Sequence, residues 1–385
     1  MGSASARRML TQSGEIRPMT GVRGIAALSV VFRHFYVQPD TVGNPLQHAY
    51  LAVDMFFMLS GLVLALNYAS TVTLGAGRQP YFAFIQKRIA RVFPLYLFVT
   101  VVKTAYDLSK HIGLGLAMPD TWTLKAMIAN VFLVQAWGFS ESAVGPAWSL
   151  STELGAYVLF PVLVALTIQS QTALAWVVAM LSGALLLAAA IGNSDCTVCT
   201  GYLDIFHGYT PYPLMRCVAG FTFGLIGYRL MHTPLLRAIA SANLFAVLSV
   251  LGTLAAYLAG LPDLIIYALL FATVMACFGN SKAANAMFGN RAVFFLGQIS
   301  FSIYLVHILL APVMKRAMVL SDAHLGGLSV VVSASFAFAL VIACSAASYY
   351  LVEMPGRRLA LRLMSGRKNH NPVTIITSIK ETDAA

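Results

Sequence analysis

Charge is what this sequence lacks. Of its 385 residues only 10% are Asp, Glu, Lys or Arg, and just 14 are acidic. An average soluble domain carries about 25% charged residues. A chain this poor in charge cannot clothe the surface of a soluble globule. Its 59% hydrophobic content equally excludes a disordered protein. There is no fixed period of 20–50 residues and no low-complexity tract. The first apolar run does not read as a removable signal, because it holds Arg23, Arg33 and His34 and no small-residue cleavage site follows. Cysteine is sparse. Cys196 and Cys199 form one CxxC without the second pair that a zinc site requires, so no metal is expected; a local disulfide and two free thiols are the readings left. Cys217, Cys277 and Cys344 sit in apolar segments as packing residues.

What is present is apolar length. The mean hydropathy is +0.77, and spanning helices need about 20 mostly apolar residues. Runs of that kind lie near 21–37, 49–69, 92–108, 148–168, 172–192, 213–231, 238–259, 263–279, 293–313 and 327–351. A weaker stretch at 123–137 carries Lys125, Asn130 and Gln135 and is expected to be re-entrant or surface-lying. The fold class is therefore all-α: a polytopic membrane protein of about ten transmembrane helices, with the bilayer as its main partner. The net charge of +11 comes from 25 Lys and Arg. These form no basic stripe, so nucleic acid is excluded as a partner and the excess is topological. Basic clusters lie at Arg7, Arg8 and Arg17; at Arg78, Lys87, Arg88 and Arg91; at Arg229 and Arg237; at Lys282 and Arg291; and at Arg357, Arg358, Arg362, Arg367 and Lys368. With all of these inside, both termini are cytoplasmic and the loop 193–212 faces out, while Lys315 and Arg316 lie outside against the rule. The expected division is a cytoplasmic segment 1–16, a transmembrane domain 17–355, and a polar cytoplasmic tail 356–385.

In such a chain the ionisable residues inside spans carry the information, because charge at the bilayer centre is costly. Arg23 and His34 are eleven residues apart, so they share a helix face about 16 Å apart along the axis. Arg23 reads either as snorkelling or as part of a site. Asp54 lies close to His34 in depth and could orient its ring, or simply start a helix. Arg88 and Arg91, at i and i+3, suit either inside anchors or a clamp on phosphate oxygens. In Trp148-Ser149-Leu150-Ser151-Thr152-Glu153, Ser149 and Glu153 share a face at i and i+4; a cap explains the first but not the second. Glu153 is expected at the level of His34 and Asp54. Ser302, Tyr304 and His307 punctuate a late span, with His307 more simply a packed structural histidine. Arg216 could bind an anion or a lipid headgroup. Glu353-Met354-Pro355-Gly356 closes the last span. A proton acceptor towards one side and an anion grip towards the other suggest chemistry that couples two compartments.

Five blocks then resemble one family. Thr20-Gly21-Val22-Arg23 through His34 resembles the Arg-x10-His signature of the acyltransferase-3 family of bacterial membrane O-acyltransferases. Asp54-Met55-Phe56-Phe57-Met58-Leu59-Ser60-Gly61 is similar to its D-x-F-F-x-L-S-G helix, and Arg88 through Tyr96 to its R-x-x-R-x-x-P-x-Y stretch. Trp148 through Glu153 is similar to W-S-L-S-x-E, and Ile299 through His307 to I-S-Y-S-x-Y-L-x-H. Leu154-Gly155 departs from the pattern, since many members carry a second acid there, and no fused esterase-like domain follows the last helix. The resemblance implies ten transmembrane helices in the bacterial inner membrane. It also implies transfer of an acetyl or other short acyl group from cytosolic acetyl-CoA, used as a substrate with no tightly bound cofactor, to a saccharide hydroxyl. His34 would be the general base or the acyl shuttle, Arg23 would position the donor, and Arg88 and Arg91 would meet the CoA phosphates. Arg23, Ser60 and Ser302 are the candidates for steadying the acyl oxyanion. Asp54 and Glu153 are expected to assist catalysis, Ser60 to help hold the donor, and Trp148, Ser149, Ser302, Tyr304, His307 and Arg216 to line the site. The alternatives are a small-molecule acceptor such as a macrolide or lipochitooligosaccharide, and a secondary transporter. Paired broken-helix halves of the inverted-repeat kind are not evident.

Overall fold

A computed structural model describes residues 15–37, 47–117, 119–196, 199–325 and 328–364. Arg7, Arg8, Arg367, Lys368 and the stretch 365–385 lie outside the described residues. Every regular element among the described residues is helical. In chain order these are α1 (Arg17–Tyr36), α2 (Ala52–Tyr68), α3 (Arg78–Leu114), α4 (Leu124–Val131), α5 (Trp148–Thr167), α6 (Thr172–Gly192) and α7 (Tyr212–Leu230). They continue with α8 (Pro234–Ala240), α9 (Asn243–Leu258), α10 (Asp263–Gly279), α11 (Lys282–Phe288) and α12 (Arg291–Gln298). The last three are α13 (Ser300–Leu325), α14 (Ser329–Ser348) and α15 (Met354–Met364).

Six helices among the described residues are long and apolar enough to cross a bilayer, or eight if two bent pairs each count as one span. The bends are local in origin. Asn280 adopts the left-handed conformation after α10, Ser281 caps α11 by accepting from the Ala284 N–H at 3.1 Å, and the chain turns by 107°. Pro234 starts α8 at 110° to α7. α1, with 20 residues, and α9, with 16, occupy the two remaining expected stretches but are not among the helices long and apolar enough to cross.

Several expected boundaries are corrected. The stretch 293–313 breaks at Ile299, so the long helix runs from Ser300 to Leu325; α12 ends before it and Asn290 caps α12 separately. The span at 92–108 belongs to a 37-residue helix that already begins at Arg78. The weak stretch 123–137, in keeping with its non-crossing reading, holds an α-helix over Leu124–Val131, too short to cross, and a short 3-10 turn over Gln135–Trp137. Residues 356–364, expected in the tail, form most of α15, which packs against α3.

α2 is the most deeply buried span and packs chiefly on α7. Glycine permits that approach: a Cβ on Gly61 would sit 2.1 Å from the Phe221 carbonyl oxygen, and one on Gly224 would sit 2.1 Å from that of Met58. Gly224→Leu is expected to drive the two helices apart and sharply reduce folded protein in a detergent-extracted thermal melt, with the first loss of packing around Ser60. Around this centre α1 packs on α2, α12 and α13, while α7 also carries α5 and α6. The periphery presents Trp176, Met180 and Leu181 of α6 and Leu248 and Leu251 of α9, an apolar exterior suited to lipid.

Candidate active site

The site follows α1. Arg23 of this helix borders three cavities in succession. The first, about 500 Å³, is also lined by Arg91, Gln298, Tyr349, Glu353, Arg357 and Arg358. The second, about 100 Å³, adds Ser60, Arg88, Glu153 and Tyr157. The third, about 50 Å³, reaches Phe56, Ser149 and Tyr304. The Arg23 Nε has no hydrogen-bond partner, and neither does the buried Nε of Arg88. A buried guanidinium with an idle donor is poised for a ligand acceptor, since leaving it unmet costs about 1–3 kcal/mol or more.

Beyond the third cavity stands a pair of histidines. The Tyr304 ring lies 6.3 Å from that of His307, and His307 lies 5.0 Å from His34, centroid to centroid. His34 Nδ1 donates to the Val30 carbonyl at 2.8 Å and His307 Nδ1 to that of Ile303 at 3.2 Å. A carbonyl only accepts, so both neutral rings carry their proton on Nδ1 and keep the Nε2 lone pair for proton acceptance. The Nε2 of His307 is buried without a partner, whereas His34 is exposed. His34 is thus the one an incoming hydroxyl can reach. Tyr304 is held by donating to the Pro146 carbonyl at 3.0 Å and by sharing a hydrogen bond with Ser149 at 2.8 Å.

The remaining expected site residues fall into other places. Asp54 does not orient His34. Both its carboxylate oxygens receive Arg216, from Nε at 2.9 Å and from a terminal nitrogen at 2.6 Å, and both side chains are fully buried. Arg216 also donates to the carbonyls of Ile205 and Tyr50 at 3.0 and 3.1 Å, so four of its N–H groups are engaged within the protein and its side chain, fully buried, is closed to an external anion or headgroup. Trp148 lies over that guanidinium at 5.3 Å, which makes it a lid on the ion pair.

Glu153 sits not with His34 but beside Arg23, because α5 places Ser149 at the Tyr304 level and Glu153 one turn further along. There it accepts from Ser60. Ser302 donates to Glu353 at 2.8 Å. Two of the three candidates for steadying an oxyanion are therefore committed elsewhere, and Arg23 keeps its donors. Arg91 pairs with Glu353 at 3.4 Å, and Arg88 reaches the Tyr68 hydroxyl at 3.4 Å.

Some contributors escaped sequence reasoning. Glu353, read only as a helix end, is turned inward by a π-helical turn over Tyr349–Glu353 and is 2% exposed. Its position before Pro355 is the only local hint. At the His34 end, Arg33 pairs with Asp204 at 2.7 Å and donates to the Thr200 hydroxyl at 3.0 Å. His48 donates to Asp263 at 2.9 Å, and Asp263 also receives the Tyr50 hydroxyl at 2.5 Å and the Leu203 N–H at 2.8 Å. These pairs join residues up to 215 positions apart, and no spacing rule could find them. Cys196 and Cys199 are joined as a disulfide in the same loop that carries Asp204 to Arg33.

Taken together, the helices and the histidine–arginine column define a polytopic membrane enzyme of the acyl-transfer class. The chain belongs to the acyltransferase-3 family: that family's model, described as an acyltransferase domain, matches residues 18–350. It is 33% identical over 150 residues to Protein 2 in picA locus of Rhizobium radiobacter, covering 35% of this chain and 75% of that protein. It is 29% identical over 157 residues to Acyltransferase MdmB of Streptomyces mycarofaciens, covering 37% of this chain and 38% of the relative. No solved structure matches. The chain is a multi-pass membrane O-acyltransferase, and the transporter alternative gives way to it.

Proposed function

We propose that the protein moves an acetyl or other short acyl group from cytosolic acyl-CoA to a hydroxyl of an exported or lipid-linked saccharide, across the bacterial inner membrane. In this reading both termini are cytoplasmic, ten helices cross, and residues 17–355 carry the reaction. The observation that carries it is that Arg23 borders three successive cavities, leading from an arginine-lined mouth to Tyr304, whose ring lies 6.3 Å from His307 of the His307–His34 pair. Basic clusters assign the arginine mouth to the cytosol, where acyl-CoA is found.

The donor enters there with its phosphates on arginine and its pantetheine arm running past Arg23, which carries the thioester towards His34. The acceptor enters from the His34 end, where the half-buried Arg33, Thr200 and His48 are hydrogen-bonding groups that suit a hydroxyl-rich sugar, with buried Asp204 holding Arg33 in place. The hydroxyl oxygen attacks the thioester carbonyl as its proton passes to His34 Nε2. Arg23, about 16 Å from His34 along α1, positions the donor below the reacting carbonyl. The C–S bond then breaks and the CoA sulfur takes the proton. Purified protein given radiolabelled acetyl-CoA and a saccharide acceptor is expected to consume the thioester and label the sugar. Arg23→Ala and His34→Ala should each abolish this, and activity surviving in both would overturn the mechanism. Mass spectrometry of surface glycans from a deletion strain identifies the acceptor by the acyl mass that disappears.

A further inference from the structure

We infer that Arg357 and Arg358 of α15 are recognition residues for the 3′-phosphate of the acyl-CoA adenosine, so that the large cavity at the Arg23 end is a nucleotide vestibule and α15 is one of its walls. The inference rests on the acyl-CoA reading above and assigns a part of the donor to residues that sequence alone makes look like charges anchoring a tail.

The geometry starts from the close approach of α15 to α3. A Cβ on Gly356 would lie 2.6 Å from the Cβ of Pro94, so the helix is seated against α3 just where Arg357 begins. Arg357, Arg358 and Leu361 then line one side of a cavity of about 500 Å³, within the range of about 300–1,000 Å³ typical of small-molecule sites. Arg23 and Arg91 line its deeper part, and Glu15 and Glu353 are the only acids on its wall. Four guanidinium groups thus face two carboxylates. Glu353 is already engaged by Arg91 at 3.4 Å and by Ser302, and among the described residues neither Arg357 nor Arg358 forms a salt bridge with an acid on this wall. Like charges held together around a void are repulsive, and an anionic ligand relieves that. The idle Arg23 Nε at the inner end is a second, independent sign of a missing acceptor.

Depth gives the assignment. Arg357 and Arg358 are exposed at the rim, while Arg23 is at the entrance to the narrower cavities. In acyl-CoA the thioester, the pantetheine arm, the pyrophosphate and the 3′-phosphoadenosine follow in that order. A pantetheine arm at Arg23 leaves the pyrophosphate nearer Arg91 and the 3′-phosphate at the rim. Guanidinium suits a phosphate dianion through paired N–H donors, where an anchoring role would need only net charge.

The test is equilibrium binding of CoA, the product common to every acyl-CoA donor, to the full-length protein in nanodiscs of neutral lipid. Wild type is expected to bind CoA at least tenfold tighter than dephospho-CoA. Arg357→Gln/Arg358→Gln should weaken CoA by at least tenfold while changing dephospho-CoA less than twofold. Arg362→Gln, on the same helix but off the cavity wall, should leave both unchanged, and a thermal melt of each variant separates lost binding from lost fold. Equal weakening of both ligands, no weakening, or an effect confined to nanodiscs containing anionic phosphatidylglycerol would overturn the assignment. The last result would give the arginines to lipid headgroups. Failure of wild type to bind CoA at all would instead overturn the acyl-CoA reading beneath it.

Discussion

His34→Ala is expected to lower kcat for acyl transfer by about 10²–10⁴-fold, the usual worth of a positioned general base, while leaving the affinity for CoA within twofold. The two effects separate because the base and the donor pocket are at opposite ends of α1. The Nδ1–H of His34 is tied to the Val30 carbonyl, so only Nε2 is available to take a proton. The partner histidine sharpens the prediction. His307 has the same tautomer and an idle Nε2, but it is fully buried and meets His34 ring to ring at 5.0 Å. It can position His34 but cannot reach the acceptor, so His307→Gln should cost about tenfold in kcat, clearly less than His34→Ala. A loss equal to or greater than that of His34→Ala would reverse the assignment of base and positioning residue. Unchanged kcat in His34→Ala would remove the base from this histidine altogether.

Asp54→Ala is expected to act on stability rather than on kcat of the surviving enzyme. The Asp54–Arg216 pair is bidentate and both members are inaccessible, so removing one strands the other charge in the core. Breaking such a pair costs about 3–5 kcal/mol. Arg216→Ala should be as severe, because it leaves Asp54 bare and also frees the Ile205 and Tyr50 carbonyls that Arg216 now satisfies. The double variant Asp54→Leu/Arg216→Met should melt above either single variant, since no lone charge is left behind. The measurements are thermal melting in detergent and kcat of the folded fraction. Normal melting combined with a large loss of kcat in Asp54→Ala would restore the idea that this acid works through His34.

The membrane class and the positions of the apolar helices were legible because both depend on local composition. Scarcity of charge and runs of about 20 apolar residues act along the chain, without reference to partners. The shared face of Arg23 and His34 was legible for the same reason, since 3.6 residues per turn set it. Helix ends were read less well: the break at Ile299 and the early start of α3 at Arg78 depend on caps and packing that hydropathy does not register.

Depth was the weakest inference. Asp54 and His34 were placed together from their positions in separate helices, yet the offset between α1 and α2 is set by how those helices pack, and Asp54 turned to Arg216 on α7. The same offset moved Glu153 from the His34 end to the Arg23 end, where Ser60 meets it.

The shortage of charge by itself determined that this is a helical membrane protein, and it made the few intramembrane ionisable residues stand out as candidates. The motifs in sequence named the family and marked Arg23 and His34. Only the tertiary structure decided which charges serve the fold and which stay available. An acid or base in a low-dielectric core must find a partner, and those partners come from distant segments: Arg216 for Asp54, Asp204 for Arg33, Glu353 for Arg91. With those pairs formed, the idle Nε of Arg23 and the idle Nε2 of His307 beside the exposed His34 are left for the proposed chemistry.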